Sequence, residues 1–221
     1  MKPLLFLILL LTFPLCHART LLIGTTPQNP PFASIADAKK HLYGFDIDMM
    51  GAICQRIKAN CQFRPIVFNN LFAELAAGKI NLAIAAIIIT DFRQEQFLFS
   101  LPYLESNALF LTKQQSSINK PEDIINKNVG VRLGTPFKQL VLSLYKNQIT
   151  VTEFSGVGDL LTALNNDNVD IVLINAAAAK YWFANNSDTY KLIGTKIPTG
   201  DGYGIMANLS DKKLIAQINQ A

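Results

Sequence analysis

An α/β fold is predicted by three features of this sequence. Downstream of Ala18, short β-rich runs alternate with stretches of helical periodicity, and strand alternating with helix builds layered α/β sheets. Residues 82–89 form a nearly continuous apolar run, as expected for a strand covered on both faces. The alternation restarts after Thr112, which suggests two lobes.

Each element has a local reason. Residues 21–25 read as a strand. Asp46 can cap a helix in which Ile47, Met50, Ile53, Cys54 and Ile57 recur at helical spacing. Residues 62–68 are strand-like again, and 71–78 form a short helix closed by Gly78 as its C-cap. In the second run, 129–131, 149–154 and 169–174 read as strands. The segments 135–145, 158–164 and the alanine-rich 176–183 read as helices, and a last helix opens at Asp211.

The first residues follow the pattern of a secretory signal peptide. Lys2 precedes an apolar run over 4–15, and Ala18 is the small residue after which cleavage is expected. The run is interrupted by Pro14 and is shorter than the roughly 20 apolar residues that span a bilayer. Lipidation at Cys16 is the alternative, disfavoured by the large Leu15 before it. No later segment has the length and apolarity of a membrane helix, so an exported, soluble protein is expected.

Lysine and arginine number 20 against 16 aspartate and glutamate, a net charge of +4 that falls to about +3 without Lys2. The basic residues are scattered, which argues against nucleic acid as a partner. Cys54 and Cys61 remain after cleavage. An even pair in an exported protein reads as a disulfide, with two buried free thiols as the alternative. His41 is the one histidine left after cleavage, and no Cys, His, Asp or Glu cluster has ligand spacing, so neither a metal nor a cofactor is expected.

Four segments stand in a fixed order: Pro30-Pro31-Phe32, Gly44-Phe45-Asp46-Ile47-Asp48, Ile89-Thr90-Asp91-Phe92-Arg93 and Gly200-Asp201-Gly202-Tyr203-Gly204. Through them nearly the whole mature chain resembles the periplasmic solute-binding proteins of amino-acid ABC transporters, in the subgroup that binds lysine, arginine, ornithine and histidine. The resemblance implies a two-lobe periplasmic-binding-protein fold (type II) with a ligand cleft between the lobes. Lobe 1 is then expected over 19–110 and 198–221 and lobe 2 over 111–197, with crossings near 109–112 and 196–199. It also implies a bridge at the Cys54/Cys61 spacing. Members of the family usually continue beyond the position of Ala221, so the last helix reads as cut short, in a fragment or by natural truncation. The glycine-rich 200–204 lacks dinucleotide spacing and reads as a flexible return crossing.

An amino acid offers a carboxylate, an ammonium and a side chain. Arg93 matches the family's carboxylate-binding arginine, and a guanidinium grips a carboxylate through paired hydrogen bonds that lysine cannot copy. A surface arginine paired with Glu95 is the plain alternative. Gly134 and Thr135 match the turn that binds the same carboxylate from the other lobe. Thr135 can cap the following helix, whose N-terminus attracts anions, although Pro136 has no N–H to donate. An ordinary capped helix is the alternative there. Phe68 matches the ring stacked on the ligand side chain, with a core phenylalanine as the alternative.

Other matched positions depart from the family. Its ammonium-binding aspartate falls at Asn175 and the helping hydroxyl at Ile88, while Ala85 and Ala86 replace small hydroxyl residues but keep their backbone groups. The acid that neutralises a cationic side chain falls at Thr26, and a second aromatic at Asn29. Leaving a buried ammonium without its paired charge costs about 3–5 kcal/mol. The ligand is then a different carboxylate, an amino acid held by other groups, or one bound below transport-grade affinity.

The function implied by the resemblance is a periplasmic, monomeric substrate-binding component. It would capture an amino acid, by default of the arginine or lysine type, by hinge closure and pass it to a membrane permease. A same-fold enzyme is the alternative, such as a cyclic-carboxylate dehydratase working through Asp or Glu. A third class is the ligand-binding domain of a sensor.

Overall fold

The computed structural model describes residues 19–38, 41–146 and 148–221. The expected signal peptide over 1–18 lies outside the described residues. The chain opens with β1 (Thr20–Thr25), then the antiparallel pair β2 (Ser34–Ile35) and β3 (Leu42–Tyr43). Next come α1 (Phe45–Arg56), β4 (Asn60–Pro65), α2 (Asn70–Ala76), β5 (Leu82–Ile88), the short α3 (Asp91–Gln94) and β6 (Phe97–Phe99). The second run holds β7 (Asn107–Lys113), β8 (Asn128–Arg132), α4 (Phe137–Tyr145), β9 (Thr150–Phe154), α5 (Val157–Asn165), β10 (Ile171–Asn175), α6 (Ala176–Asn185) and β11 (Tyr190–Pro198). The chain then returns through β12 (Tyr203–Asn208) and α7 (Lys212–Gln220).

Two five-stranded sheets result, ordered β4-β1-β5-β12-β6 and β11-β7-β10-β8-β9. In the first, β1 runs parallel to β4 and β5, while β12 is antiparallel to β5 and β6. In the second, β8 is parallel to β9 and β10, while β7 is antiparallel to β10 and β11.

β5 is buried along its whole length, as its apolar run predicts. Its side chains alternate between two cores. Leu82 and Ile84 pack with Met50 of α1 and with Leu214 and Ile218 of α7, while Ala83, Ala85 and Ile87 face Leu71 and Leu75 of α2. The second sheet is covered in the same way. Leu109 and Leu111 lie against α5 and α6, and Phe110 lies with Phe137 and Val141 of α4. That last core continues into the first lobe through Phe32, Ala86, Ile88 and Tyr203. The lobes therefore meet in apolar contact.

Some boundaries differ from expectation. The crossing expected over 109–112 lies inside β7, whose Leu109 and Phe110 pair with Ile174 and Leu173 of β10. The second, over 196–199, falls largely in β11, which pairs with β7 as far as Pro198. Both are long-range pairings with no local signature. The links between sheets are instead residues 100–106 and 199–202, and they are bonded to each other. Thr199 donates its N–H to the Ser106 carbonyl at 3.0 Å, and Gly202 donates to the Ser106 hydroxyl at 3.1 Å. Gly200 and Gly202 have φ of +59° and +104°, which glycine adopts without a Cβ penalty.

Cys54 in α1 and Cys61 in β4 form the expected disulfide, with Cα atoms 6.2 Å apart.

Candidate functional site

The two sheets bring their strand C-termini together, where open α/β sheets place ligands. From the first lobe come the segment after β1, the turn before α2, and the β5–α3 turn; from the second come the turn after β8 and the end of β10.

Arg93 sits in α3, whose N-cap Thr90 accepts a bond from the Arg93 N–H. Its side chain is buried at the lobe junction. Nη1 donates to the Ile88 carbonyl at 2.5 Å and Nη2 crosses to the Gly134 carbonyl of the other lobe at 2.7 Å. The guanidinium lies 4.8 Å from the centre of the Phe72 ring. Burial pulls its pKa down to about 10, so it stays charged at neutral pH.

Phe68 follows β4 and is buried. The Arg132 guanidinium lies 3.8 Å over its ring centre, and Phe72 meets it edge-on. Arg132 ends β8, following Val129, Gly130 and Val131, and is only 4% exposed. Its Nη1 is buried without a hydrogen-bond partner among the described residues. Burial lowers its pKa to about 10; the nearby Tyr203 phenol opposes that shift and the Arg93 charge adds to it.

The remaining expected residues bond within the protein, although Asn29 Nδ2 is buried without a partner among the described residues. Asn175 Oδ1 accepts from the Ala178 N–H, capping α6, and Nδ2 reaches Asn29 Oδ1 across the lobes at 3.3 Å. Thr26 donates its hydroxyl to the Ile66 carbonyl. The Ala86 N–H, at a residue with φ of +49°, donates to Asp46 Oδ2 at 2.9 Å. Ile88 contributes the carbonyl that receives Arg93.

Two expected caps are corrected. Gly44, not Asp46, occupies the N-cap position of α1, because the Asp46 carboxylate turns into the protein to accept from Ala86 and from the Tyr103 hydroxyl. Helix α4 starts at Phe137 with Pro136 at its cap position. Thr135 instead donates its hydroxyl back to the Arg132 carbonyl at 2.6 Å.

Sequence reasoning missed Arg132 and Phe72, and read Asp46 as a helix cap rather than as the acceptor of Ala86 and Tyr103. The signal for Arg132 was present: a charged residue closing an apolar parallel strand, two positions before Gly134, needs a reason to be there. Among the described residues, no carboxylate lies within ion-pair distance of Arg93 or Arg132.

Two α/β lobes joined by paired crossings, with polar side chains meeting between them, define the hinged solute-binding class. The chain belongs to the bacterial extracellular solute-binding proteins, family 3, whose profile matches residues 21–221. It is 30% identical over 208 residues to the putative ABC transporter arginine-binding protein 2 of Escherichia coli (strain K12), covering 92% of this chain and 84% of that protein. Among solved structures it is similar to an arginine 3rd transport system periplasmic binding protein from Legionella pneumophila, at 42% identity and a TM-score of 0.88, over 92% of each chain. It is also similar to an ancestral arginine-binding protein bound to glutamine, at 32% identity and a TM-score of 0.83, over 91% of this chain and 89% of that one.

Proposed function

We propose that this chain is the substrate-binding component of an amino-acid ABC transporter. It is exported to the periplasm by a signal peptide over 1–18, captures a polar amino acid between its lobes as a monomer, and presents it to a membrane permease. Arg93 is the observation that carries this reading. Its guanidinium has five N–H donors, and the two carbonyl bonds leave others free to grip a ligand carboxylate from a buried position. The relatives named for arginine, one of them solved with glutamine, support a polar amino acid and make arginine the reference ligand.

Capture needs no chemistry, only a ligand that favours the closed arrangement. That arrangement already has Arg93 on Gly134, Arg132 on Phe68 and Asn175 on Asn29. Segments 100–106 and 199–202 act as the hinge. Asp46 does not favour catalysis. Burial raises its carboxyl to about 6, but both oxygens are held by Ala86 and Tyr103 and the residue is 0% exposed.

Thermal denaturation of the mature protein against the common amino acids tests the reading. A ligand at about 1,000 times its dissociation constant stabilises by roughly 4 kcal/mol, a shift of several degrees. Arg93→Ala is expected to abolish that shift while the protein still folds. No shift with any amino acid would sink the proposal, and undiminished affinity in the variant would remove Arg93 from the site.

A further inference from the structure

The Phe68 ring is where the family resemblance seats the ligand side chain, and this chain covers that ring with its own Arg132. A cationic ligand side chain would have to displace it, then sit beside two guanidinium groups. Nothing offsets them: among the described residues neither Arg93 nor Arg132 has an ion-paired carboxylate. The buried carboxylate of Asp46 is committed to Ala86 and Tyr103, and Tyr203, the other ionisable group facing Arg132, is a phenol that burial keeps protonated. The place of the family's neutralising acid is taken by Thr26, whose hydroxyl points to Ile66.

The Arg132 Nη1 gives this arrangement a direction. A buried guanidinium donor without an acceptor is costly, and buried charges are paired where they persist. An oxygen acceptor brought by the ligand would complete its bonding and, if anionic, its charge.

We propose that Arg132 determines the specificity of this cleft, selecting an amino acid whose side chain ends in a carboxylate, with a carboxamide second, over one that ends in a cation. This rests on the reading that Arg93 holds the α-carboxylate. The ligand then carries an acceptor at each end, one for each guanidinium. Arg132 keeps its place on Phe68, which fixes the plane of its fork for the distal group.

Titration calorimetry of the mature protein with L-glutamate, L-glutamine and L-arginine tests this, because all three share the same α-groups. The unmodified protein is expected to bind L-glutamate at least about 100-fold more tightly than L-arginine, with L-glutamine between them. In Arg132→Leu, L-glutamate is expected to weaken by about 30-fold or more while L-arginine tightens. Arg132→Lys keeps the charge and loses the fork, so it should retain the order of preference at reduced affinity. If the leucine variant does not fold, the preference of the unmodified protein and the lysine variant decide. Tighter binding of L-arginine than L-glutamate by the unmodified protein would overturn this specificity and leave the binding-protein reading standing. So would a glutamate-to-arginine ratio that Arg132→Leu leaves unchanged. Binding of no amino acid would overturn both.

Discussion

Asp46 shows how a single side chain shapes the site from behind. Ala86 is held in the left-handed region within β5, and its N–H leaves the sheet ladder for the Asp46 carboxylate. Such backbone persists where the surroundings over-determine it. Burial dominates the Asp46 carboxyl and lifts it from 3.8 to about 6, against the bonds from Ala86 and Tyr103. A carboxyl raised on folding holds its proton more tightly in the native state. Its stabilising contribution is therefore complete below the unfolded value of 3.8 and is lost as the pH rises through about 6. The loss should amount to about 3 kcal/mol. Urea unfolding between pH 4 and 7 should show stability falling across that window, and Asp46→Asn should remove the slope. The same slope in the variant would assign it to another group.

At the scale of the elements, Asn175 and Arg132 stand at the ends of strands and meet opposite demands. Asn175 stands where the family places an ammonium-binding acid, yet its oxygen caps α6. A cap contributes about 1 kcal/mol and accounts for an asparagine there without any ligand. Arg132 does the opposite. It closes β8, a strand buried from Val129 onward, and presents a charge to the other lobe. The Cys54–Cys61 bridge ties α1 to β4 across seven positions of sequence. Closing so short a loop should contribute about 2–3 kcal/mol. Denaturation with and without reductant checks this; equal midpoints would mean that the packing of α1 alone holds this edge of the lobe.

At the scale of the molecule, the chain passes between the lobes through two short links, 100–106 and 199–202. Both are pinned at Ser106, which bonds Thr199 and Gly202 of the return link. The return works only with glycine at 200, where a Cβ would collide with the Ile89 carbonyl and φ is +59°. Gly200→Ala should cost about 1–3 kcal/mol in strain, read as a lower thermal midpoint. An unchanged midpoint would show that this link can relax freely. The return segment, read from sequence as a flexible crossing, is a bonded structure in which two glycines hold positive φ.

Local pattern alone determined that this chain alternates strand and helix, that β5 is buried on both faces, and that Cys54 and Cys61 stand at bridging distance in sequence. These properties depend on neighbours within a few residues, and periodicity records them. Resemblance added Arg93, Phe68 and the turn at Gly134. Only the tertiary structure decided that β7 belongs to the second sheet, since strand pairing over sixty residues leaves no local trace. Only it placed Arg132 on Phe68, Asn175 on Asn29 and Arg93 on Gly134. Each of these contacts joins a side chain of one lobe to a group of the other. Its physical cause, burial of a charge or a polar group against a partner far away in the chain, exists only once both sheets have formed and closed on each other.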